Sequence, residues 1–175
     1  MGGRHGLITI NGYPLDDDMD TRMNELSRLA KDYCELIESA DESDIAWLRQ
    51  LSSLLPRLHA AVTALGAPPR SANFFNPDLD ARFERFATLR RLLGERDAYW
   101  MEFDVAPDEQ GMSGSLADDL TDIYCELKHG LRLIEEERAP ERAFDDWCCG
   151  YQEHWGQHLL DAERHLYELT NRNQL

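Results

Sequence analysis

The sequence has few basic residues and no long apolar run. It holds 18 lysines and arginines against 34 aspartates and glutamates, so its formal charge is −16. This charge repels phosphate backbones and anionic lipid, so we expect neither nucleic acid nor a membrane as a partner. A basic protein or a metal cation fits better. No apolar segment reaches the ~18 residues that a membrane-spanning helix needs, and the first ten residues do not resemble a secretory signal.

Recognisable catalytic motifs are missing as well. The chain has no glycine-rich phosphate loop, no G-x-S-x-G and no ordered set of serine, histidine and aspartate. Its four cysteines form no C-x-x-C pair, and Cys148 and Cys149 are adjacent, which suits neither a disulfide nor paired zinc ligands. We therefore expect free thiols in a reducing cytoplasm, and the absent motifs disfavour an enzyme without excluding one.

The residues that are present favour a helical domain. Apolar residues make up 42% of the 175 positions, which is enough for one core, and β-branched residues are scarce after the first ten positions. The sequence predicts an all-α fold, a single-domain antiparallel helical bundle of four to six helices, over residues 20–171. Residues 1–19 are predicted to form a flexible or loosely packed N-terminal segment. A monomer or a dimer is expected.

Apolar side chains recur at spacings of three and four in five blocks, each typical of a helix. The second block contains Pro56 within a leucine seam, so a kink or a restart is expected there. In the third block Gly94 is a candidate break, after which residues 95–104 are predicted to continue the helix. The long fifth block is predicted to bend at Gly150 or Gly156. The apolar face of the third block is predicted to consist of Leu79, Phe83, Phe86 and Leu93. The five blocks cover about 20–39, 44–65, 76–104, 115–138 and 140–171.

The polar residues of the fourth block divide into two sets. At about 100° per residue, Asp119 and Glu126 lie at the edge of its apolar stripe. The opposite side, predicted to face solvent, carries Asp118, Asp122, Cys125 and His129. Glu126 and His129 therefore match the Glu-x-x-His of di-iron bundles in letters only.

Histidines of the fifth block suggest a metal site. His154, His158 and Asp161 step by four and three along one edge of its apolar face, and histidines four apart on a helix can hold one divalent ion. If the fourth and fifth blocks pack side by side, Asp119 and Glu126 meet them across the groove. This set suits zinc, manganese or iron with open coordination positions. The favoured alternative is a structural network of hydrogen-bonded side chains that holds no ligand.

Two aromatic pairs form a candidate partner surface. Phe74 and Phe75 are adjacent, as are Tyr99 and Trp100, and both pairs lie next to predicted helix ends. Core packing is the simpler interpretation of such pairs. If several of these rings are exposed together, however, they mark a binding patch.

Three segments of the sequence carry a resemblance to a known family. They are 94–100 (GERDAYW), 114–124 (GSLADDLTDIY) and 154–162 (HWGQHLLDA). Together they resemble a bacterial family of unknown function, number 5063 in the domain-of-unknown-function series, over about residues 33–167. The resemblance implies a bacterial, cytoplasmic, helical protein, and it implies no activity.

Two functions remain in view. The favoured one is a non-catalytic interaction or regulatory module whose acidic surface attracts a basic protein partner. The alternative is a metal-dependent, hydrolase-like enzyme with its site between the fourth and fifth helices, since a bound ion there can activate water.

Overall fold

The computed structural model describes residues 9–10, 13–14, 17–42, 44–66, 77–101, 112–136 and 138–175. Its helices are α1 (Asp17–Glu38), α2 (Ala46–Ala64), α3 (Leu79–Leu93), α4 (Leu116–Glu135), α5 (Pro140–Gly150) and α6 (Gly156–Asn171). Its strands are β1 (Thr9–Ile10), β2 (Tyr13–Pro14), β3 (Ala98–Met101) and β4 (Met112–Ser115), paired as two antiparallel hairpins. A 3-10 turn (Gly94–Arg96) follows α3, and a π-helical turn (Tyr151–Trp155) joins α5 to α6. Within these ranges, no helix is long and apolar enough to cross a membrane.

Helix α4 lies at the centre of the bundle. It packs against α1, α3, α5 and α6, while α2 packs against α1 and α6. The largest fully buried side chains nearby are Trp147, Trp155 and Tyr33, and the Tyr33 hydroxyl donates to the carbonyl of Leu120 on α4 at 2.9 Å. Because four helices surround α4, 12 of its 20 residues are buried, including residues of its polar side.

The predicted all-α bundle is confirmed. The leucine seam of α2 is buried, and the helix runs through Pro56 without a restart. Helix α1 begins at Asp17, slightly before the predicted start at residue 20. The rest of the N-terminal segment 1–19 lies mostly outside the described residues.

The predicted continuation of the third block to Asp104 is wrong. The helix ends at Gly94, whose φ of 54° lies in the left-handed region that glycine tolerates best, and the chain then forms strand β3. Tyr99 pairs with Gly114 of β4. A Cβ at position 114 would lie 2.3 Å from the Tyr99 ring, so glycine there lets the ring cover the partner strand. Aromatic residues favour strands, and the distant pairing partner decided the outcome.

The predicted buried face of α3 is also partly wrong. Leu79 and Phe83 are 71% and 66% exposed, whereas Leu89 and Leu93 are buried. The helix instead turns Arg82 towards α4, where its guanidinium pairs with Asp122. The amino-terminal half of α3 is thus oriented by charge, while its carboxyl-terminal half is oriented by leucine packing.

The predicted bend in the fifth block falls where expected. The α-helical pattern is interrupted between Gly150 and Gly156 by the π-helical turn. Such turns insert one extra residue, are rare, and occur frequently at functional sites. This turn carries His154, while His158 follows in the first turn of α6.

Candidate metal centre

The predicted contact between the fourth and fifth blocks is present. His158 Nδ1 lies 2.8 Å from Asp119 Oδ1, and His154 Nδ1 lies 3.2 Å from Glu126 Oε1. Asp161 does not join them, because its carboxylate accepts a hydrogen bond from Gln157 one turn earlier at 2.9 Å. Four of the five residues selected from the sequence therefore meet in the groove between α4 and α6.

Asp122 occupies the middle of this groove, although its sequence position predicted a solvent-facing side chain. That prediction is wrong, since Asp122 is 7% exposed. The prediction assumed that α4 has one buried stripe, but α3 covers the opposite side through Arg82. His129 is likewise not solvent-facing. It is half-buried, with its Nε2 atom 3.5 Å from Asp146 of α5.

Both histidines direct their second ring nitrogen to the same oxygen atom. Nε2 of His158 lies 3.4 Å from Asp122 Oδ2, and Nε2 of His154 lies 3.9 Å from it. One ligand atom from each of these three residues lies within 4.8 Å of the others. We call Asp119, Asp122, Glu126, His154 and His158 together the α4–α6 cluster.

The three converging atoms are slightly too far apart to hold an ion without adjustment. Zinc bound at about 2.0–2.2 Å in tetrahedral geometry separates its ligand atoms by roughly 3.4 Å. The imidazole of His154, with half of its side chain exposed, has room to rotate. Asp122 Oδ2 and His158 Nε2 are already at this spacing, 3.4 Å apart, whereas His154 Nε2 lies 3.9 Å from the same oxygen and must move closer.

The remaining carboxylates orient the two imidazoles. A histidine that binds a metal through one nitrogen usually donates the other N–H to a carboxylate, which fixes the ring and raises its basicity. Asp119 does this for His158 and Glu126 for His154, so each histidine has its own orienting carboxylate. A purely structural network would not need a separate carboxylate for each histidine, because one carboxylate can accept hydrogen bonds from both rings.

Arg82 holds Asp122 in position from the α3 side. Its Nε donates to Asp122 Oδ1 at 2.7 Å and its Nη2 to Oδ2 at 2.9 Å, which fixes the carboxylate plane. The same Nη2 reaches Asp118 Oδ1 at 2.9 Å. This pairing raises the pKa of the Arg82 guanidinium above its ordinary value. Each carboxylate oxygen has two lone pairs, so Asp122 Oδ2 can accept from Arg82 and still bind a cation.

The electrostatics of the α4–α6 cluster favour an added positive charge. Three carboxylates are at most 9% exposed, and Arg82 compensates one of them. Burial raises the pKa of Asp119 and of Glu126, although the facing histidines oppose the rise. Burial would lower the pKa of His158, but Asp119 and Asp122 outweigh it and raise that pKa. The raised pKa values of the two carboxyl groups therefore reflect burial, and the raised pKa of His158 reflects the negative charges that face it.

Tyr99 extends the network to the β3–β4 hairpin. Its hydroxyl donates to Asp119 Oδ2 at 2.5 Å, and its ring stacks on His165 with centroids 4.6 Å apart. Tyr99, which the sequence assigned to a candidate partner surface, is therefore buried. Of that set, Trp100 is exposed at 74%, and Phe74 and Phe75 lie outside the described residues.

Sequence reasoning missed Asp122, Arg82 and the role of Tyr99. One signal was available, because Asp119, Asp122 and Glu126 step by three and four and so share one helical face. The step of four from Asp122 to Glu126 matches the step from His154 to His158 opposite. Arg82 carries no comparable signal, since one of many arginines on a polar helix face does not show which carboxylate it meets.

Comparisons with known proteins place the chain in a family. The crystal structure of protein BF1032 from Bacteroides fragilis superimposes with a TM-score of 0.66 at 19% sequence identity, covering 86% of this chain and 92% of that one. At this identity the likeness shows a shared fold. No curated protein matches the chain. The profile of a domain of unknown function, DUF5063, matches residues 17–172, and the chain belongs to that family.

Proposed function

We propose that this protein is a non-catalytic regulatory module that binds one divalent transition-metal ion in the α4–α6 cluster. The observation that carries the proposal is the convergence of two histidine Nε2 atoms on one Asp122 oxygen, while each Nδ1 faces a separate buried carboxylate. Two imidazoles and one carboxylate suit zinc, manganese or iron rather than magnesium or calcium, which prefer oxygen ligands.

Charge and topology support this role. With neutral histidines, the three buried carboxylates and Arg82 leave two negative charges uncompensated, which a divalent ion neutralises. The ligands come from two elements, Asp122 from α4 and the histidines from the end of the π-turn and the start of α6. A bound ion therefore cross-links the central helix to its neighbour, and its occupancy regulates how firmly the two are held.

A cytoplasmic location is part of the proposal. The four cysteines are free thiols, as suits a reducing compartment. In such a compartment a site built from nitrogen and oxygen ligands does not depend on the redox state of cysteine.

A second candidate function is a metal-dependent hydrolase. Three protein ligands leave a coordination position for water, as in catalytic zinc sites, and the half-exposed His154 places that position near solvent. A phosphomonoesterase and phosphodiesterase screen with added manganese separates the two functions. Turnover that disappears in His158→Ala would establish the enzyme, whereas metal binding without turnover supports the regulatory module.

The decisive experiment measures metal content. Untagged protein is dialysed against zinc and, separately, manganese, and bound metal is counted by elemental analysis and calorimetry. We expect one ion per chain in the native sequence and loss of binding in His158→Ala and Asp122→Asn. Neither ring nitrogen of His59 faces the α4–α6 cluster. His59→Ala is therefore the matched control, and we expect this variant to bind one ion per chain.

Two results would overturn the proposal. One is a native protein that takes up sub-stoichiometric metal at micromolar zinc. The other is binding that survives in both His158→Ala and Asp122→Asn, which would place the ion elsewhere. Circular dichroism of each variant distinguishes a lost ligand from a lost fold.

A further inference from the structure

Helices α2 and α6 enclose a groove on the side of α6 away from the α4–α6 cluster. The groove has a volume of ≈ 270 Å³. Leu55 and Leu166, at most 1% exposed, form its floor, and Pro56 and Tyr167 form its apolar sides. Tyr167 is 69% exposed, so its ring stands at the rim. We call this the α2–α6 groove.

One side-chain acceptor along the α2–α6 groove lacks a donor. Glu163 Oε1 is buried and has no hydrogen-bond partner among the described residues, while its Oε2 lies 3.4 Å from His59 Nδ1. The carbonyl of Ser52 loses its usual helical donor, because the residue four positions later is Pro56, which has no N–H. Both Ser52 and Glu163 line the groove. An unsatisfied buried acceptor is costly, so Glu163 Oε1 favours an incoming donor.

From this lining we infer that the α2–α6 groove receives a lysine or arginine side chain from a basic segment of a partner protein. Such a side chain has an apolar stem, which suits Leu55, Leu166 and the Tyr167 ring, and a charged end with several donors. Glu163 then supplies the counter-charge and the first acceptor, and the Ser52 carbonyl a second. A purely apolar occupant would leave Glu163 Oε1 unsatisfied.

Charge complementarity supports a basic partner. The chain carries a formal charge of −16, which draws cationic segments towards it over long range. The arginines next to the groove in sequence are paired with other carboxylates. Arg164 and Arg172 pair with Glu168 at 3.5 and 3.2 Å, and Arg57 lies 4.0 Å from Glu25. They therefore do not occupy Glu163. This inference is independent of the metal site, whose histidines face α4.

The experiment titrates the full chain with two probe peptides of equal length. One contains a single lysine flanked by glycine and alanine, and the other has norleucine in its place, which keeps the stem and removes the charge. Amide shifts are followed by NMR and affinity by fluorescence anisotropy. We expect shifts confined to residues 51–57 and 163–171, and at least about tenfold weaker binding of the norleucine peptide.

Matched variants separate the groove from general attraction to an acidic protein. Glu163→Gln should weaken binding of the lysine peptide at least about tenfold. Glu168→Gln removes the same charge one turn further along and should have little effect. Equal weakening by both substitutions, or shifts spread over the acidic surface, overturns the inference. Equal binding of the norleucine peptide also overturns it, in favour of an apolar occupant. Tyr167→Ala, at an exposed rim position, should weaken binding without affecting folding.

Discussion

Histidine–carboxylate pairs lie on two sides of helix α6 and the π-helical turn before it. The two sides differ in where the second ring nitrogen of each histidine points. In the α4–α6 cluster, His154 and His158 give Nδ1 to their own carboxylates and direct Nε2 at Asp122. Beside the α2–α6 groove, His59 uses both nitrogens, Nδ1 towards Glu163 and Nε2 towards the Tyr151 hydroxyl at 2.8 Å.

This difference separates a ligand site from a structural contact. The two ring nitrogens of His59 face two different residues, and His59 shares neither Glu163 nor the Tyr151 hydroxyl with a second histidine. Two histidines whose Nδ1 atoms are satisfied separately, and whose Nε2 atoms converge, present a ready pair of nitrogen ligands. Beside the α2–α6 groove, the atom without a hydrogen-bond partner is an acceptor, Glu163 Oε1. That side therefore suits a cation that carries hydrogen-bond donors. The same residue types thus favour different ligands on the two sides.

The largest predicted contrast is in stability. Asp122→Ala removes two of the three hydrogen bonds that Arg82 donates to α4 and leaves it only Asp118, so the free energy of unfolding should fall by about 2 kcal/mol. Glu163→Ala removes an acceptor that is already unsatisfied and should cost under about 1 kcal/mol. Urea denaturation measures both values. Equal losses would show that the two carboxylates have similar roles and would break the comparison.

The next contrast is stabilisation by zinc. At a free zinc concentration 100 times the dissociation constant, an ion that binds only the folded chain adds about 2.7 kcal/mol to the free energy of unfolding. We expect this gain in the native sequence and in His59→Ala, and none in His158→Ala. Thermal unfolding with and without zinc, followed by addition of a chelator, measures it. A gain that persists in His158→Ala would remove His158 from the site.

A smaller effect is expected when an orienting carboxylate is changed. Glu126→Gln keeps the shape of the side chain but loses the charge that orients His154, and zinc affinity should fall by about 10–100-fold. Glu163→Gln makes the same chemical change beside His59 and should leave zinc affinity unchanged. Calorimetry compares the two variants. No loss in Glu126→Gln would mean that His154 is not oriented by Glu126 when zinc is bound.

The smallest expected contrast is in the alkylation rate of the Cys125 thiol. Burial chiefly, and then the negative charge of Asp122, raises the pKa of Cys125 to about 11. At pH 8, alkylation of Cys125 should therefore be roughly 100-fold slower than that of a free cysteine. Asp122→Asn should speed it a few-fold, while Glu163→Gln should not. Mass spectrometry resolves the modified residue, and rapid labelling in the native chain would contradict the assigned burial.

The fold was predictable wherever local pattern and packing agree. The buried seam of α2 follows directly from leucine spacing, and the break between Gly150 and Gly156 from the two glycines. The β3–β4 hairpin was not predictable in this way. Gly94 marks an end of α3, but the strand conformation of residues 98–101 depends on pairing with residues 112–115, which lie further along the chain.

For the candidate site, the sequence predicted which helical faces carry most of the residues. Helical periodicity placed Asp119, Glu126, His154 and His158 at the edges of buried stripes, and these residues meet as expected. Periodicity sets Asp122 beside Glu126 on one helical face, but Asp122 was assigned to the solvent side because each helix was assumed to have a single buried stripe. It cannot show that α3 packs on the opposite side of α4 and brings Arg82 with it.

The sequence by itself therefore determined the class of fold, the helical faces and the excess of negative charge, because these depend on composition and on residues within a few turns of one another. Tertiary structure alone decided that α4 is central, that Asp122 is buried, and that two Nε2 atoms share one oxygen. Those outcomes depend on which helices pack together and at what rotation. Contacts between residues far apart in sequence set both, and spacing along one helix does not encode them.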